Sequence, residues 1–325
     1  MIPCLEMKVM LYWILGVLGG LALLVLFISF LCYWKAFYMP PRKPKPEGQM
    51  DFPEGEIYVP FYDSMRKWAM ETRALPQQRF SIQSFDGLTL YGTYYEYAPG
   101  APIELMFHGY RGSAERDLSG GVQRCFKLKR SCFLVDQRCS GDSGGRTITF
   151  GIREHRDCIA WAEFLVQHFG PEVKIILTGV SMGAATVLMA AGKPLPSNVL
   201  GVLADCSYST PREIIQQVIR DMGLPPKLAY PFVKLGARLY GGFDLEETSP
   251  LEAMKTCTVP VIFFHGEDDA YVPWEMSRRL HAACPTRKQL ITIPGAGHGL
   301  SYPVGKEAYL TPARDFFAPE GSCQK

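Results

Sequence analysis

The sequence of 325 residues contains ten cysteines, but it has no C-x-x-C pair and no cysteine–histidine spacing typical of a metal site. It therefore predicts no zinc module of the usual kind. Lysine and arginine number 34 against 32 aspartate and glutamate residues, and no block of basic residues lies in the body of the chain. This balance favours no polyanionic partner, so nucleic-acid binding has no support. No internal repeat is visible.

The cysteines lie mostly in apolar stretches typical of strands or helices, where a free thiol behaves as a small hydrophobic group. Eight of them follow the N-terminal region: Cys125, Cys132, Cys139, Cys158, Cys206, Cys257, Cys284 and Cys323. Many isolated thiols fit a reducing compartment better than an oxidising one.

The N-terminal region has the composition of a membrane anchor. Residues 11–33 carry no charge and are flanked by Lys8 and Lys35. At about 1.5 Å per residue, such a helix covers the ~30 Å hydrocarbon core of a bilayer. A cleaved signal peptide is the alternative, but its apolar region would be shorter, and no small-residue cleavage site follows. We therefore expect residues 1–35 to form a short tail and a retained transmembrane helix.

The residues after this helix predict its orientation. An aromatic belt marks the interface: Tyr33, Trp34, Phe37 and Tyr38. More basic residues follow the span than precede it: Lys35, Arg42, Lys43 and Lys45 against Lys8. The positive-inside rule then places the C-terminal side in the cytoplasm. Residues 36–58 are proline-rich and charged, which is typical of a stiff spacer holding the following domain away from the membrane.

From residue 79 onward, short apolar strands alternate with helical stretches. A hairpin turns at Asp86-Gly87, and six buried strands follow: 103–107, 131–135, 174–178, 199–204, 259–264 and 289–293. This alternation predicts an α/β fold with eight strands in a mostly parallel, doubly wound sheet. We expect this domain to occupy residues 59–318, with an amphipathic helix near residues 61–75 and a C-terminal tail at 319–325.

Residues 209–250 interrupt the alternation with two or three helices and no convincing strand, so we expect a small helical cap over the carboxyl edge of the sheet. Its apolar faces either line an acyl pocket or simply pack on the domain: Ile214, Ile215, Val218, Phe232, Leu235, Leu239, Tyr240 and Phe243.

Residues 174–191 carry the candidate nucleophile. A β-branched apolar run is followed by the turn Gly179-Val180-Ser181-Met182-Gly183 and then by a strong helix-forming stretch. A serine on such a strained strand-to-helix turn projects from the carboxyl end of the sheet, and the helix behind it directs its positive end toward a developing oxyanion. We therefore predict that Ser181 is a nucleophile.

A serine nucleophile needs a base and an orienting carboxylate. His298 lies in the loop after the last strand, at the same edge of the sheet as Ser181. Asp269 follows the preceding strand and is the preferred acid, with Asp268 as the alternative. His265 is expected to support its loop by hydrogen bonding. The remaining histidines of helical stretches are expected to be solvated: His155, His168 and His281.

The oxyanion donors are predicted from the loop after residues 103–107. His108-Gly109-Tyr110 can supply the backbone N–H of Tyr110, paired with that of Met182, and His108 is expected to be structural. Gly141-Asp142-Ser143-Gly144-Gly145 resembles a trypsin-like nucleophile motif, but it follows a parallel strand in a chain of βα alternation. We therefore expect Ser143 to lie in a tight loop near the active-site rim.

With GVSMG, HGY, HGEDDAYVP and GAGH in this order, the sequence resembles the α/β-hydrolase superfamily from about Arg79 to Phe317. Within it, the chain is similar to bacterial membrane-anchored hydrolases of the serine-aminopeptidase-like and lysophospholipase-like branch. The acid of the family usually lies three residues after the glycine of its HGxxDxxVP loop, which corresponds to Asp269. The resemblance implies no metal and no organic cofactor.

The function implied is hydrolysis of carboxylic esters through Ser181, His298 and Asp269 and an acyl-enzyme intermediate. The anchor and the apolar cap favour lipid-derived or other acyl esters, with the bilayer as a partner of the N-terminal helix. Two alternatives stay open: a small serine peptidase or aminopeptidase with the same triad, and a membrane-tethered binding protein without catalysis. The fold alone does not choose between them, because this superfold hosts many chemistries.

Overall fold

The computed structural model describes residues 4–41 and 48–318. Within them, eight strands form one sheet in the order β1-β2-β4-β3-β5-β6-β7-β8. The strands are β1 Gln78–Gln83, β2 Thr89–Tyr95, β3 Ile103–Phe107, β4 Ser131–Asp136, β5 Ile175–Val180, β6 Val199–Asp205, β7 Val261–Gly266 and β8 Lys288–Ile293. β2 pairs antiparallel with β1 and β4, and every later pairing is parallel. The predicted fold class is confirmed.

Eleven α-helices are formed by the described residues: α1 Cys4–Ala36, α2 Tyr62–Ala74, α3 Ala114–Lys127, α4 Glu154–Phe169, α5 Met182–Ala191, α6 Pro211–Asp221, α7 Pro226–Tyr240, α8 Pro250–Lys255, α9 Glu275–Ala283, α10 Ser301–Val304 and α11 Lys306–Phe316. Helices α4, α5, α8 and α9 bury apolar side chains against one face of the sheet. Helices α2, α3, α10 and α11 cover the other face. The predicted amphipathic helix is α2, which packs on α3.

A carboxylate is buried in the middle of β3. The side chain of Glu104 is fully buried and accepts hydrogen bonds from Arg124, from Arg130 Nη1 at 2.7 Å and from Thr178 Oγ1 at 3.0 Å. Burial raises the pKa of Glu104, but the two guanidinium groups outweigh this effect and lower the pKa to about 2. The ion pairs join β3 to the end of α3 and to the segment that leads into β4.

The insertion does not have the contacts expected of a cap over a pocket. Helix α7 packs along the C-terminal third of α1. A Cβ atom at Gly236 would lie 2.4 Å from the carbonyl oxygen of Ser29, so a glycine is needed for this close approach. The hydroxyl of Tyr240 donates to the carbonyl oxygen of Leu26 at 3.0 Å. The apolar face of the insertion is therefore covered by the N-terminal helix, because both surfaces are apolar.

The expected spacer also differs from the observed chain. Phe37 is fully buried, and its carbonyl oxygen accepts the N–H of Ile148 at 2.8 Å. The N–H of Met39 donates to the carbonyl oxygen of Arg146 at 2.8 Å. These contacts join the end of α1 directly to the domain, so residues 37–39 do not separate the two. Residues 42–47 of the predicted linker and the tail at 319–325 lie outside the described residues.

Helix α1 is long and apolar enough to cross a membrane over Met7–Ala36. Its side chains are exposed from Met7 to Phe27 and begin to pack on the domain at Ile28. At 1.5 Å per residue, the exposed part is about 30 Å long, which is the thickness of a bilayer's hydrocarbon core. The apolar exposed part and the docked part are thus continuous within one helix.

Candidate active site

Ser181 lies at the turn between β5 and α5. Its backbone has φ of 56° and ψ of −118°, a strained conformation for a residue with a side chain. A Cβ atom at Gly179 would lie 2.2 Å from the carbonyl oxygen of Gly183, and one at Gly183 would lie 2.0 Å from that of Phe107. Only glycine fits at these two positions, so the flanking glycines permit the turn that projects Ser181 from the sheet edge.

The structure brings Ser181, His298 and Asp269 into one hydrogen-bonded row. His298 Nε2 lies 2.9 Å from Ser181 Oγ, and His298 Nδ1 lies 2.7 Å from Asp269 Oδ2. Asp269 follows β7 and His298 follows β8, so the carboxyl ends of three parallel strands supply the three side chains. Asp268 is exposed, and Asp269 is the carboxylate that lies beside His298.

The carboxylate of Asp269 is fixed on both oxygens. Oδ1 accepts the N–H groups of Tyr271 at 2.9 Å and Val272 at 2.8 Å. Oδ2 lies 3.3 Å from Nε2 of His265, in addition to its contact with His298. Burial raises the pKa of Asp269, but the hydrogen bonds to His265 and His298 outweigh it and lower the pKa to about 2. The group is therefore a carboxylate at neutral pH.

His265 supports the acid loop. Its Nε2 lies 2.8 Å from the carbonyl oxygen of Val272, which can only accept, so Nε2 carries the proton. Its Nδ1 lies 2.7 Å from Ser277 Oγ on α9. These contacts hold the loop between β7 and α9, which agrees with the supporting role expected from the sequence.

The loop after β3 lies beside the nucleophile turn. A Cβ atom at Gly109 would lie 3.6 Å from Ser181 Cβ, and the N–H of Gly109 donates to Asp117 Oδ2 at 3.0 Å. His108 is buried: its Nδ1 lies 2.8 Å from the carbonyl oxygen of Gly109, and its Nε2 accepts the N–H of Gln137 at 3.2 Å. Tyr110 follows at the edge of the cavity, and Met182 is the first residue of α5.

A cavity of about 460 Å³ opens next to Ser181. Its apolar wall comes mainly from α2, β3, α3 and α10: Met65, Trp68, Met106, Leu118, Tyr302 and Pro303. None of the eight apolar cap residues named from the sequence lines it. Of the two alternatives left open for the apolar faces of residues 209–250, the structure therefore shows packing rather than the lining of this cavity, and part of that packing is against α1.

Residues 53–58 form one side of this cavity, and we call them the strap. The hydroxyl of Tyr58 in the strap donates to the carbonyl oxygen of His298 at 3.0 Å. These residues fall within the predicted linker at 36–58, and their place at the site is not evident from the sequence. The sequence of the strap gives little indication of this place, because a segment with a proline, two glutamates and a glycine is also typical of an exposed loop.

Two other sequence-based expectations concern residues outside this cavity. Ser143 Oγ donates to the carbonyl oxygen of Asp136 at 2.6 Å and accepts the N–H of Tyr91 at 2.9 Å. It therefore ties its loop to the start of β2 rather than to the cavity rim. His155 is buried, with Nδ1 at 3.0 Å from the carbonyl oxygen of Gly151, and the expectation that it is solvated is wrong.

The match to known families agrees with this geometry. Residues 105–249 match the model described as alpha/beta hydrolase fold, and residues 230–300 match the one described as serine hydrolase (FSH1). The esterase Pf2001 of Pyrococcus furiosus superposes with a TM-score of 0.63 over 86% of this chain and 97% of that chain, at 18% sequence identity. The chain has the α/β-hydrolase fold.

Two bacterial relatives of this chain are described as uncharacterised proteins. YqkD of Bacillus subtilis is 29% identical over 56% of this chain, a match that spans 60% of the relative's length. YfhR of Salmonella typhi is 23% identical over 85% of this chain and 87% of its own length. These relatives extend the likeness to bacterial proteins but assign no substrate.

The donor atoms at the site do not form a good metal centre. Among the described residues, Cys206, Asp269 and His298 place their donor atoms within 4.8 Å of one another. Burial raises the pKa of the Cys206 thiol well above its usual range, so the thiolate that a metal prefers is disfavoured. Asp269 and His298 are already hydrogen-bonded to each other. The contact between Asp269 and His298 thus favours their mutual hydrogen bond over the binding of a metal ion.

The ionisation of Asp269 makes the hydrolase sensitive to acid. Its pKa is about 2 in the folded chain and 3.8 in the reference state, so its carboxylate contributes about 2 kcal/mol to the free energy of unfolding above pH 4. Because the folded pKa is the lower one, this contribution is lost as the pH falls toward 2. We expect the free energy of unfolding by urea to fall less steeply with acidification in Asp269→Asn. Equal pH dependence of the two proteins would contradict this assignment.

Proposed function

We propose that this chain is a serine hydrolase that cleaves carboxylic esters. The observation that carries the proposal is the row of contacts from Ser181 Oγ to His298 Nε2 at 2.9 Å and from His298 Nδ1 to Asp269 Oδ2 at 2.7 Å. Acyl transfer by a serine hydrolase of this kind uses a nucleophile, a base and an orienting carboxylate within hydrogen-bond distance of one another. The fold is shared with the esterase Pf2001 and also with a puromycin-hydrolysing peptidase, so the choice of esters is a separate part of the proposal that needs its own test.

In the proposed mechanism, Ser181 Oγ attacks the carbonyl carbon while His298 Nε2 takes its proton. Asp269 stabilises the imidazolium that forms and holds the ring through Nδ1. The tetrahedral intermediate collapses to an acyl-enzyme, and His298 returns the proton to the leaving alcohol. Water then attacks the acyl-enzyme in the same way, with His298 as the base, and releases the acid and free Ser181.

The oxyanion of both intermediates is proposed to bind the N–H groups of Tyr110 and Met182. The start of α5 adds the positive end of the helix dipole next to Ser181. One such donor is typically worth about 3–4 kcal/mol of transition-state stabilisation. The approach of the Gly109 backbone to Ser181 supports the Tyr110 assignment, since the N–H of Gly109 itself is bonded to Asp117.

The nucleophile can be tested by covalent labelling with a fluorophosphonate probe. We expect the wild-type chain and Ser143→Ala to be labelled and Ser181→Ala to remain unlabelled, because Ser181 Oγ lies beside His298 at the cavity whereas Ser143 Oγ is bonded to backbone groups. Steady-state rates on a p-nitrophenyl ester and a matched p-nitroanilide then separate an esterase from a peptidase. Unlabelled, folded wild-type protein would contradict catalysis, and faster cleavage of the anilide would contradict the choice of esters.

The cavity predicts an acyl group of limited length. The volume of the cavity is within the range of small-molecule sites. The indole ring of Trp68 forms part of its wall and packs closely on Gly120, where a Cβ atom would lie 2.7 Å from the ring. Trp68→Ala should raise the ratio of kcat/KM for a long-chain ester to that for a short-chain ester by roughly tenfold. Met70→Ala, an exposed position on the same helix, is the control. An unchanged ratio in Trp68→Ala would place the acyl group elsewhere.

We further propose that α1 is a retained membrane anchor with the hydrolase domain on the cytoplasmic side. Lys35 at the docked end of the helix supports this orientation, and Arg42, Lys43 and Lys45 lie outside the described residues. A green fluorescent protein fused to the C terminus should fluoresce in bacteria, and an alkaline phosphatase fused there should be inactive. The reverse pattern would place the domain on the opposite side, and a fluorescent soluble fraction would contradict anchoring.

A further inference from the structure

The last turn of α1 ends against the loop that follows β3. The hydroxyl of Tyr110 donates to the carbonyl oxygen of Ala36 at 2.7 Å. One guanidinium nitrogen of Arg111 donates to the carbonyl oxygens of Lys35 at 2.8 Å and Tyr38 at 3.1 Å. The final carbonyls of a helix have no partners within the helix, so the loop caps the C-terminus of α1. The positive charge of Arg111 also favours the negative end of the helix dipole.

The same loop is constrained on its other side. The N–H of Gly109 donates to Asp117 Oδ2 on α3, and the N–H of Gly112 donates to the carbonyl oxygen of Gly109 at 3.1 Å. Arg111 has φ of 53°, which is unfavourable for a residue with a side chain. Its Nε also donates to the hydroxyl of Tyr110 at 2.9 Å. The strained turn thus depends on contacts from both α3 and α1.

The end of α1 is fixed independently of this loop. The ring of Phe37 packs edge-to-face against Phe150 at 5.7 Å and Phe243 at 5.3 Å. The ring of Tyr110 lies 5.1 Å from Phe150, so the same aromatic cluster touches the loop. The carbonyl oxygens of Lys35 and Ala36 are therefore held in place by buried packing, and they can serve as fixed acceptors for the loop.

We propose that the C-terminal end of α1 positions the Tyr110 peptide for oxyanion binding, with the Tyr110 hydroxyl and Arg111 as positioning groups. This inference rests on the proposed serine-hydrolase function and on the assigned role of the Tyr110 N–H. The N-terminal helix is then part of the working active site as well as an attachment to the bilayer. A displacement of the donor by about 1 Å lowers the rate strongly, because oxyanion stabilisation depends on geometry.

The test compares two variants with a matched control in the full-length chain, purified in one detergent. Tyr110→Phe removes the hydrogen bond to Ala36, and Arg111→Met removes the contacts with Lys35 and Tyr38. Both should lower kcat for a p-nitrophenyl ester by about tenfold or more, with KM nearly unchanged. Tyr240→Phe removes the same kind of hydrogen bond to α1, at Leu26 and away from the loop, and should retain wild-type kcat.

A second measurement separates positioning from a loss of folding. An alkylboronic acid forms a tetrahedral adduct with the serine and places an oxygen in the oxyanion site, so its affinity should fall in parallel with kcat. The affinity for the alcohol of the same chain length, which fills the acyl cavity but forms no oxyanion, should change little. Arg111→Lys retains a donor and should recover part of the lost kcat and boronate affinity.

The outcomes distinguish this inference from the proposed function. Wild-type kcat and boronate affinity in both Tyr110→Phe and Arg111→Met would overturn the positioning role while leaving the Ser181 mechanism intact. An equal loss of activity in Tyr240→Phe would also overturn it, because the effect would then belong to helix docking in general. Full activity in Ser181→Ala would instead reject the proposed function.

Discussion

The close approach of helix α5 to the end of β3 constrains the whole site. A Cβ atom at Gly183 would lie 2.0 Å from the carbonyl oxygen of Phe107, so the helix can begin there only with glycine. Next to this contact, Ser181 has a strained backbone conformation and lies beside the loop that begins at His108. The acid and histidine loops can reach Ser181 because β7 and β8 end at the same edge.

Helix α1 packs on the insertion between β6 and β7, and this contact gives the insertion a different role from the one its sequence suggests. A helical insertion at this position suggests a lid over substrate, but α7 instead provides a docking surface for the N-terminal helix. The apolar face that the sequence shows is real, and its partner comes from the opposite end of the chain. The strap at residues 53–58 lies beside Ser181 instead, and Tyr58 bonds to the loop that carries His298.

How much of the structure could be predicted from the sequence depended on how local each feature is in the chain. Ser181, Asp269 and His298 could be identified because each lies in a short loop directly after a strand, and parallel strands bring such loops to one edge. Glu104 shows the limit, since nothing in an apolar strand indicates that Arg124 and Arg130 will neutralise a buried charge. The burial of His155, which was expected to be solvated, could not be predicted for a similar reason. The helical periodicity of its sequence does not indicate how deeply that face of the helix is buried.

The sequence by itself determined the order of strands and helices, the nucleophile turn and the row of three candidate catalytic residues, because these depend on contacts between neighbours in the chain and on the geometry of a parallel sheet. Only the tertiary structure decided what lines the cavity, what covers the insertion and what caps α1. Those surfaces are joined across long separations, such as Tyr110 with Ala36 and Tyr58 with His298. A pattern of apolar or polar residues indicates that a surface will be covered, but it does not indicate by which segment. Any segment of matching shape and chemistry could cover it equally well.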